Sequence, residues 1–178
     1  MEKPIKTRTK TFRFDITLLE KLDEAAKRAR VTENAFVSAT LEERLEIDPL
    51  IPAFRLIRLS SRVFQSILGT ANTDALEAGA ADTAQKNFPL IIELFAASGR
   101  NLDFREFIVD IMGKSCQWFE VEGNEIRNHR GITLRHSYGL KWSKYIKTYL
   151  LTAHSIISKD KIRIEITDQF IRVDFSPL

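Results

Sequence analysis

The chain has 178 residues, 44% hydrophobic and 29% charged, with a net charge of +3 and a single cysteine. Such a composition is globular rather than disordered or membrane-embedded, and one cysteine excludes an internal disulfide framework. The length accommodates one ordinary domain plus a small module.

The charge is unevenly placed. Residues 1–13 carry Lys3, Lys6, Arg8, Lys10 and Arg13 against Glu2, a local balance of +4, while residues 1–48 together hold ten basic and ten acidic side chains. No apolar run approaches the ~18 residues of a membrane helix, and the basic start lacks the apolar core of a secretory signal. The expectation is a cytoplasmic protein with no membrane partner and no cofactor.

Thr9-Lys10-Thr11-Phe12-Arg13-Phe14 alternates with the two-residue period of a half-buried strand, placing Thr9, Thr11 and Arg13 on one face and Lys10, Phe12 and Phe14 on the other. Asp15 or Thr17 can cap a helix whose Leu18, Leu19, Leu22, Ala25, Ala26 and Ala29 recur at three- and four-residue steps, ending near Arg30. Thr32 suits the N-cap of a second helix carrying Phe36, Val37, Ala39, Thr40, Leu41 and Leu45. Asp48-Pro49-Leu50-Ile51-Pro52 closes it, because prolines three residues apart cannot share a helix. Residues 1–48 thus read as a first module, 49–52 as a proline-containing linker and 53–178 as a larger domain.

Beyond the linker, residues 53–68 have the spacing of a helix, and residues 69–84 fit either a weak alanine-rich helix or a loop. Pro89 suits the first turn of another helix, made apolar by Leu90, Ile91, Ile92, Leu94 and Phe95. Asp103 is placed to cap the next, in which Phe104, Phe107, Ile108, Ile111 and Met112 follow α-helical spacing. From Trp118 the period becomes two. Phe119 and Val121, then Ile132 and Leu134, predict antiparallel strands with polar residues between them. Residues 140–157 return to a helical period, and Ile162, Ile164, Ile166 and Ile171, Val173, Phe175 predict two strands joined across Thr167-Asp168-Gln169. The fold class is α+β: a β-α-α module, then helices followed by ββαββ.

A strand and two helices in about 45 residues cannot bury their apolar faces alone. Thr11-Phe12-Arg13-Phe14, Leu18-Leu19-Glu20-Lys21-Leu22-Asp23-Glu24 and Val31-Thr32-Glu33-Asn34-Ala35-Phe36-Val37 occur in the order and spacing of a ribbon strand, a first helix and a turn into a second. Over about residues 8–45 the chain resembles the ribbon-helix-helix family of DNA-binding proteins, in which two copies pair their strands into a ribbon beneath four interlocked helices. The resemblance implies a homodimer, able to assemble further into a dimer of dimers, with double-stranded DNA as partner. Thr9, Thr11 and Arg13 then face base edges in the major groove, while Lys3, Lys6, Arg8, Lys10, Thr32 and Asn34 contact phosphates. Glu33 departs from that pattern, since an acid faces phosphate unfavourably. Residues 53–178 resemble no family.

In the second domain, Arg135-His136-Ser137-Tyr138-Gly139-Leu140-Lys141-Trp142 joins a strand to a helix. Arg135, His136, Lys141 and Trp142 there suggest an effector pocket for a carboxylate or phosphate, set against a capping turn with Trp142 in the core. Cys116, His129, His136 and His154 lack metal-ligand spacing, so no metal is expected. With no phosphate loop or nucleophile elbow, the chain does not read as an enzyme. The expected function is a sequence-specific transcription regulator whose second domain senses a ligand or oligomerises. The alternative is an antitoxin-like protein whose C-terminal part binds a protein partner.

Overall fold

The structure is a computed structural model that describes residues 8–47, 59–97, 99–122 and 131–175. The chain divides into two compact units, residues 1–46 and 47–178. The expected linker at 49–52 lies outside the described residues.

In the first unit, residues 8–15 lead without a backbone ladder into α1 (Ile16–Ala29), and α2 spans Glu33–Ile47. The Asp15 carboxylate takes the Thr17 N–H at 2.8 Å, so Asp15 rather than Thr17 is the cap. Arg30 ends α1 in the left-handed region (φ 57°), where the Val31 N–H reaches the Ala26 carbonyl and the Arg30 N–H reaches Lys27. That pairing satisfies the last helix carbonyls. Thr32 Oγ then takes the Ala35 N–H at 3.2 Å and starts α2.

The second unit begins its described course with α3 (Ser61–Thr70), N-capped by Ser60, followed by α4 (Thr73–Ala97). Asn72 accepts the N–H groups of Asp74 and Ala75, which gives α4 its start at the stretch left open between helix and loop. Pro89 does not open a new helix; it lies inside α4. A proline there costs a hydrogen bond and roughly 3 kcal/mol, and burial of Phe88, Ile91 and Phe95 around it offsets that cost. Leu90, next to it, is 47% exposed.

Asp103 caps the single turn α5 (Phe104–Glu106) through the Arg105 and Glu106 amides, as expected. The helix then widens into a π-helix over Phe107–Ser115. Its broader turn buries Val109 and Gly113 in addition to Phe107, Ile108 and Met112, which α-helical spacing did not predict.

Strands β1 (Glu120–Val121), β2 (Gly131–Arg135), β3 (Arg163–Ile166) and β4 (Phe170–Asp174) form one antiparallel sheet in the order β1-β2-β4-β3. Helix α6 (Leu140–Ile157) connects β2 to β3 and packs along α4. The core combines Phe88, Phe107 and Ile108 from the first helices, Ile146 and Leu150 from α6, and Ile132, Leu134, Ile171 and Val173 from the sheet. Strand β2 lies between β1 and β4 and is buried on both faces from Gly131 to Leu134, so the alternation expected there fails at Thr133 and holds at Arg135, which is exposed. Among the described residues, no helix is long and apolar enough to cross a membrane.

Candidate nucleic-acid interface and second-unit cleft

In the first unit, Arg8, Thr9, Lys10, Thr11 and Arg13 are all exposed, as are Thr32, Glu33 and Asn34. Lys3 and Lys6 lie outside the described residues. The rings of Phe12 and Phe14 stack with centroids 6.1 Å apart, as residues two apart do when they share one side of an extended segment. Thr9, Thr11 and Arg13 alternate with them.

The apolar side of this unit is open. Phe12, Phe14, Ile16, Leu18, Leu19, Val31, Leu41 and Leu45 are exposed, Ile16 and Leu45 by 74% and 75%. Ala26 is the one fully buried residue among those described in this unit. Large apolar surfaces of this kind mark association.

In the second unit, a cleft of about 770 Å³ lies between the π-helix, β1, β2 and the turn after β2. Val109, Gly113 and Lys114 come from the π-helix and Trp118 and Phe119 from the approach to β1. Gly113 lets β1 approach closely, since a Cβ there would meet Val121 Cγ2 at 3.0 Å and press on that side chain. Two residues past the π-helix, Gln117 has φ 53°, in the left-handed region, as the Trp118 N–H turns back to the Met112 carbonyl.

The four residues singled out after β2 separate. Arg135 and His136 line the cleft, but Arg135 pairs with Glu122. Lys141 is turned elsewhere: its ammonium donates to the carbonyls of Leu68, Gly69 and Ala71 at 3.2, 2.9 and 2.8 Å, closing the C-terminal end of α3. Trp142 is core, and its indole N–H donates to the Trp118 carbonyl at 3.2 Å. The cations expected to converge on an anion therefore have other partners.

His136 has a defined proton. The Tyr138 N–H donates to its Nδ1 at 3.2 Å, which leaves Nε2 to carry the hydrogen and donate to Ser143 Oγ at 2.9 Å. Ser143, fully buried, donates in turn to the Thr167 carbonyl. This chain ties the end of β2 to α6 and to the β3–β4 hairpin, and it requires neutral imidazole. Burial accordingly holds the His136 pKa below its ordinary value, opposed by Asp168.

No family model, curated protein or solved structure matches this chain.

Cys116 is partly buried, and burial pushes its thiol pKa up, away from an activated thiolate. The His154 ring meets Phe104 edge-on at 5.0 Å, far in sequence from His136, while His129 lies outside the described residues. Among the described residues, no three His, Cys, Asp or Glu side chains converge as a metal site. The residues missed in the sequence are Lys114, Gln117 and Gln169, which also line the cleft. No pattern marks them, because the π-helical turn and the hairpin carry them there.

Proposed function

We propose that the protein is a dimeric, sequence-specific DNA-binding transcription regulator. Two copies pair their Thr9–Phe14 segments into an antiparallel ribbon that enters the major groove. The observation that carries this reading is the open apolar side of the first unit: eight large apolar side chains stand exposed around one buried alanine. Burying such a side chain completely contributes roughly 1.5–3 kcal/mol; with these eight between 43% and 75% exposed, covering them contributes about half of that each, comparable with the whole stability of a small domain. A second copy covers them by pairing strands and interlocking helices. Residues 8–14 then gain the ladder partners that a lone segment lacks.

In the ribbon, Thr9, Thr11 and Arg13 form the groove-facing side. Arg13 can donate two hydrogen bonds to a guanine edge, and the threonines offer a hydroxyl and a methyl. Lys3, Lys6, Arg8 and Lys10 supply the phosphate contacts of a basic arm. At the start of α2, Thr32 Oγ already takes the Ala35 N–H, so the backbone amides of Glu33 and Asn34 are the donors left for a phosphate.

The test is selection of binding sites from random duplex DNA, with sedimentation to give the mass. A dimer that enriches a two-fold-symmetric site is expected. Arg13→Ala and Thr11→Ala keep the dimer and lose the preference, each contact costing about 1–3 kcal/mol of discrimination. Unchanged preference in both variants would falsify the assignment.

A further inference from the structure

Ser137 and Tyr138 belong to two surfaces at once. They line the cleft, beside Gln117, Trp118 and Gln169. They also fasten α3. The Ser137 carbonyl accepts from Gln65 Nε2 at 3.2 Å, the Tyr138 hydroxyl lies 3.3 Å from that of Ser61, and the Tyr138 ring meets Phe64 edge-on at 5.0 Å. Helix α3 is the first described helix after the DNA-binding unit. Whatever shifts the turn at 136–138 therefore shifts the docking of α3.

The chemistry of the cleft is that of a neutral ligand. Lys114 bonds Asp110, Arg135 bonds Glu122, and both nitrogens of His136 are engaged in a chain that requires the uncharged ring. Glu120 adds a carboxylate to the lining. An anion entering here would have to compete with existing acid partners and face that carboxylate. The remaining polar lining, Gln117, Ser137 and Gln169, is uncharged, and the aromatic lining is the half-buried Trp118 and Tyr138, with the buried Phe119 beside them. A space of about 770 Å³ has the dimensions of a small-molecule site. Two local departures from regular backbone meet at it, the π-helix and the left-handed Gln117, and such departures concentrate where ligands bind.

We infer that the cleft binds an uncharged aromatic small molecule bearing an amide- or hydroxyl-type hydrogen-bonding edge, and that the Ser137–Tyr138 turn transmits its occupancy to α3. The effect on DNA rests on the function proposed above; the binding and the movement of α3 do not.

The test is an NMR titration of the ¹⁵N-labelled full chain with naphthalene-2-carboxamide and, in parallel, naphthalene-2-carboxylate. The carboxamide should shift the Trp118 indole N–H and the amides of α3, and the carboxylate should bind much more weakly. Ser137→Phe, at an exposed position of the lining, should abolish the shift while leaving the free spectrum dispersed. The double variant Ser61→Ala, Gln65→Ala lies outside the cleft; it should bind the carboxamide as before but lose the α3 response. In the parent, the carboxamide should change DNA affinity by about tenfold, a typical coupling, and in the double variant by less.

Equal binding of both probes overturns the ligand class, and binding of neither at millimolar concentration overturns the site. Carboxamide binding with α3 resonances unmoved overturns the transmission, as does unaltered DNA affinity in a parent that does bind DNA. A parent that binds no DNA sinks the functional reading alone, and the α3 resonances still decide this one.

Discussion

His136 Nε2 and Ser143 Oγ stand 2.9 Å apart in the middle of a hydrogen-bond chain that runs from the Tyr138 amide to the Thr167 carbonyl. Each link has one donor and one acceptor, so the chain has room for one proton on the imidazole and none for a second. A cationic ring would turn Nδ1–H against the Tyr138 N–H.

The pH dependence follows with a fixed sign. The His136 pKa is lowered in the folded chain by burial, and that of His154 likewise. Around and below 6.5, the ordinary histidine value, the unfolded chain binds protons that the folded chain refuses. The second unit is therefore expected to be at full stability above that value, to lose stability as the pH falls through it, and to stop losing on this account once the pH is below the folded values. Urea unfolding followed by tryptophan fluorescence reports this unit alone, since the two tryptophans are Trp118 and Trp142. His136→Gln keeps an N–H donor toward Ser143 without titrating, so its loss between pH 7 and 5.5 should be shallower. An identical slope would show that the ring is free to ionise.

Lys141→Met should destabilise α3 without unfolding the sheet. It removes the donor that three carbonyls at the end of that helix share, and hydrogen bonds to a charged group are worth about 1.5–3 kcal/mol. Hydrogen exchange should quicken in Ser61–Thr70, while β2 and β4 keep their protection. Lys141→Arg, with a longer and planar donor group, should restore only part. Uniform loss across the unit would mean that the lysine braces the core rather than the helix end.

Pro89→Ala should stabilise the second unit. The alanine restores an N–H in mid-helix and removes a clash with the preceding turn, a gain of up to about 3 kcal/mol reduced by the packing of the partly buried ring. Thermal unfolding of the pair measures it. A lower melting temperature for the alanine variant would mean that the proline ring, and not its neighbours Phe88 and Ile91, fills this part of the core.

Local chemistry made much of the fold legible in the sequence. Asp15, Thr32 and Asp103 cap helices through their own side chains, and the apolar period over Leu140–Ile157 belongs to one helix. The isoleucines around Thr167-Asp168-Gln169 form the β3–β4 hairpin. What stayed hidden depends on neighbours remote in sequence. The helix-breaking tendency of Pro89 is outweighed by packing that no window of residues contains. Phe104, Phe107, Ile108 and Met112 suit an α-helix and a π-helix alike, and only the burial of Val109 and Gly113 beneath β1 separates the two. The stretch Arg135–Trp142 stands out for its composition, yet Glu122, Ser143 and the carbonyls of Leu68, Gly69 and Ala71 decide which way its side chains point.

The open side of the first unit has a thermodynamic consequence. A domain with an enclosed core unfolds at a temperature set by its sequence, and dilution leaves it unchanged. The second unit has such a core, built around Phe88, Ile108 and Leu150. A unit whose apolar side chains are covered only by association melts lower the more dilute it is. On the proposed dimer, one chain would carry two kinds of stability, and the smaller unit, proposed to read DNA, would be the one whose melting temperature rises with concentration.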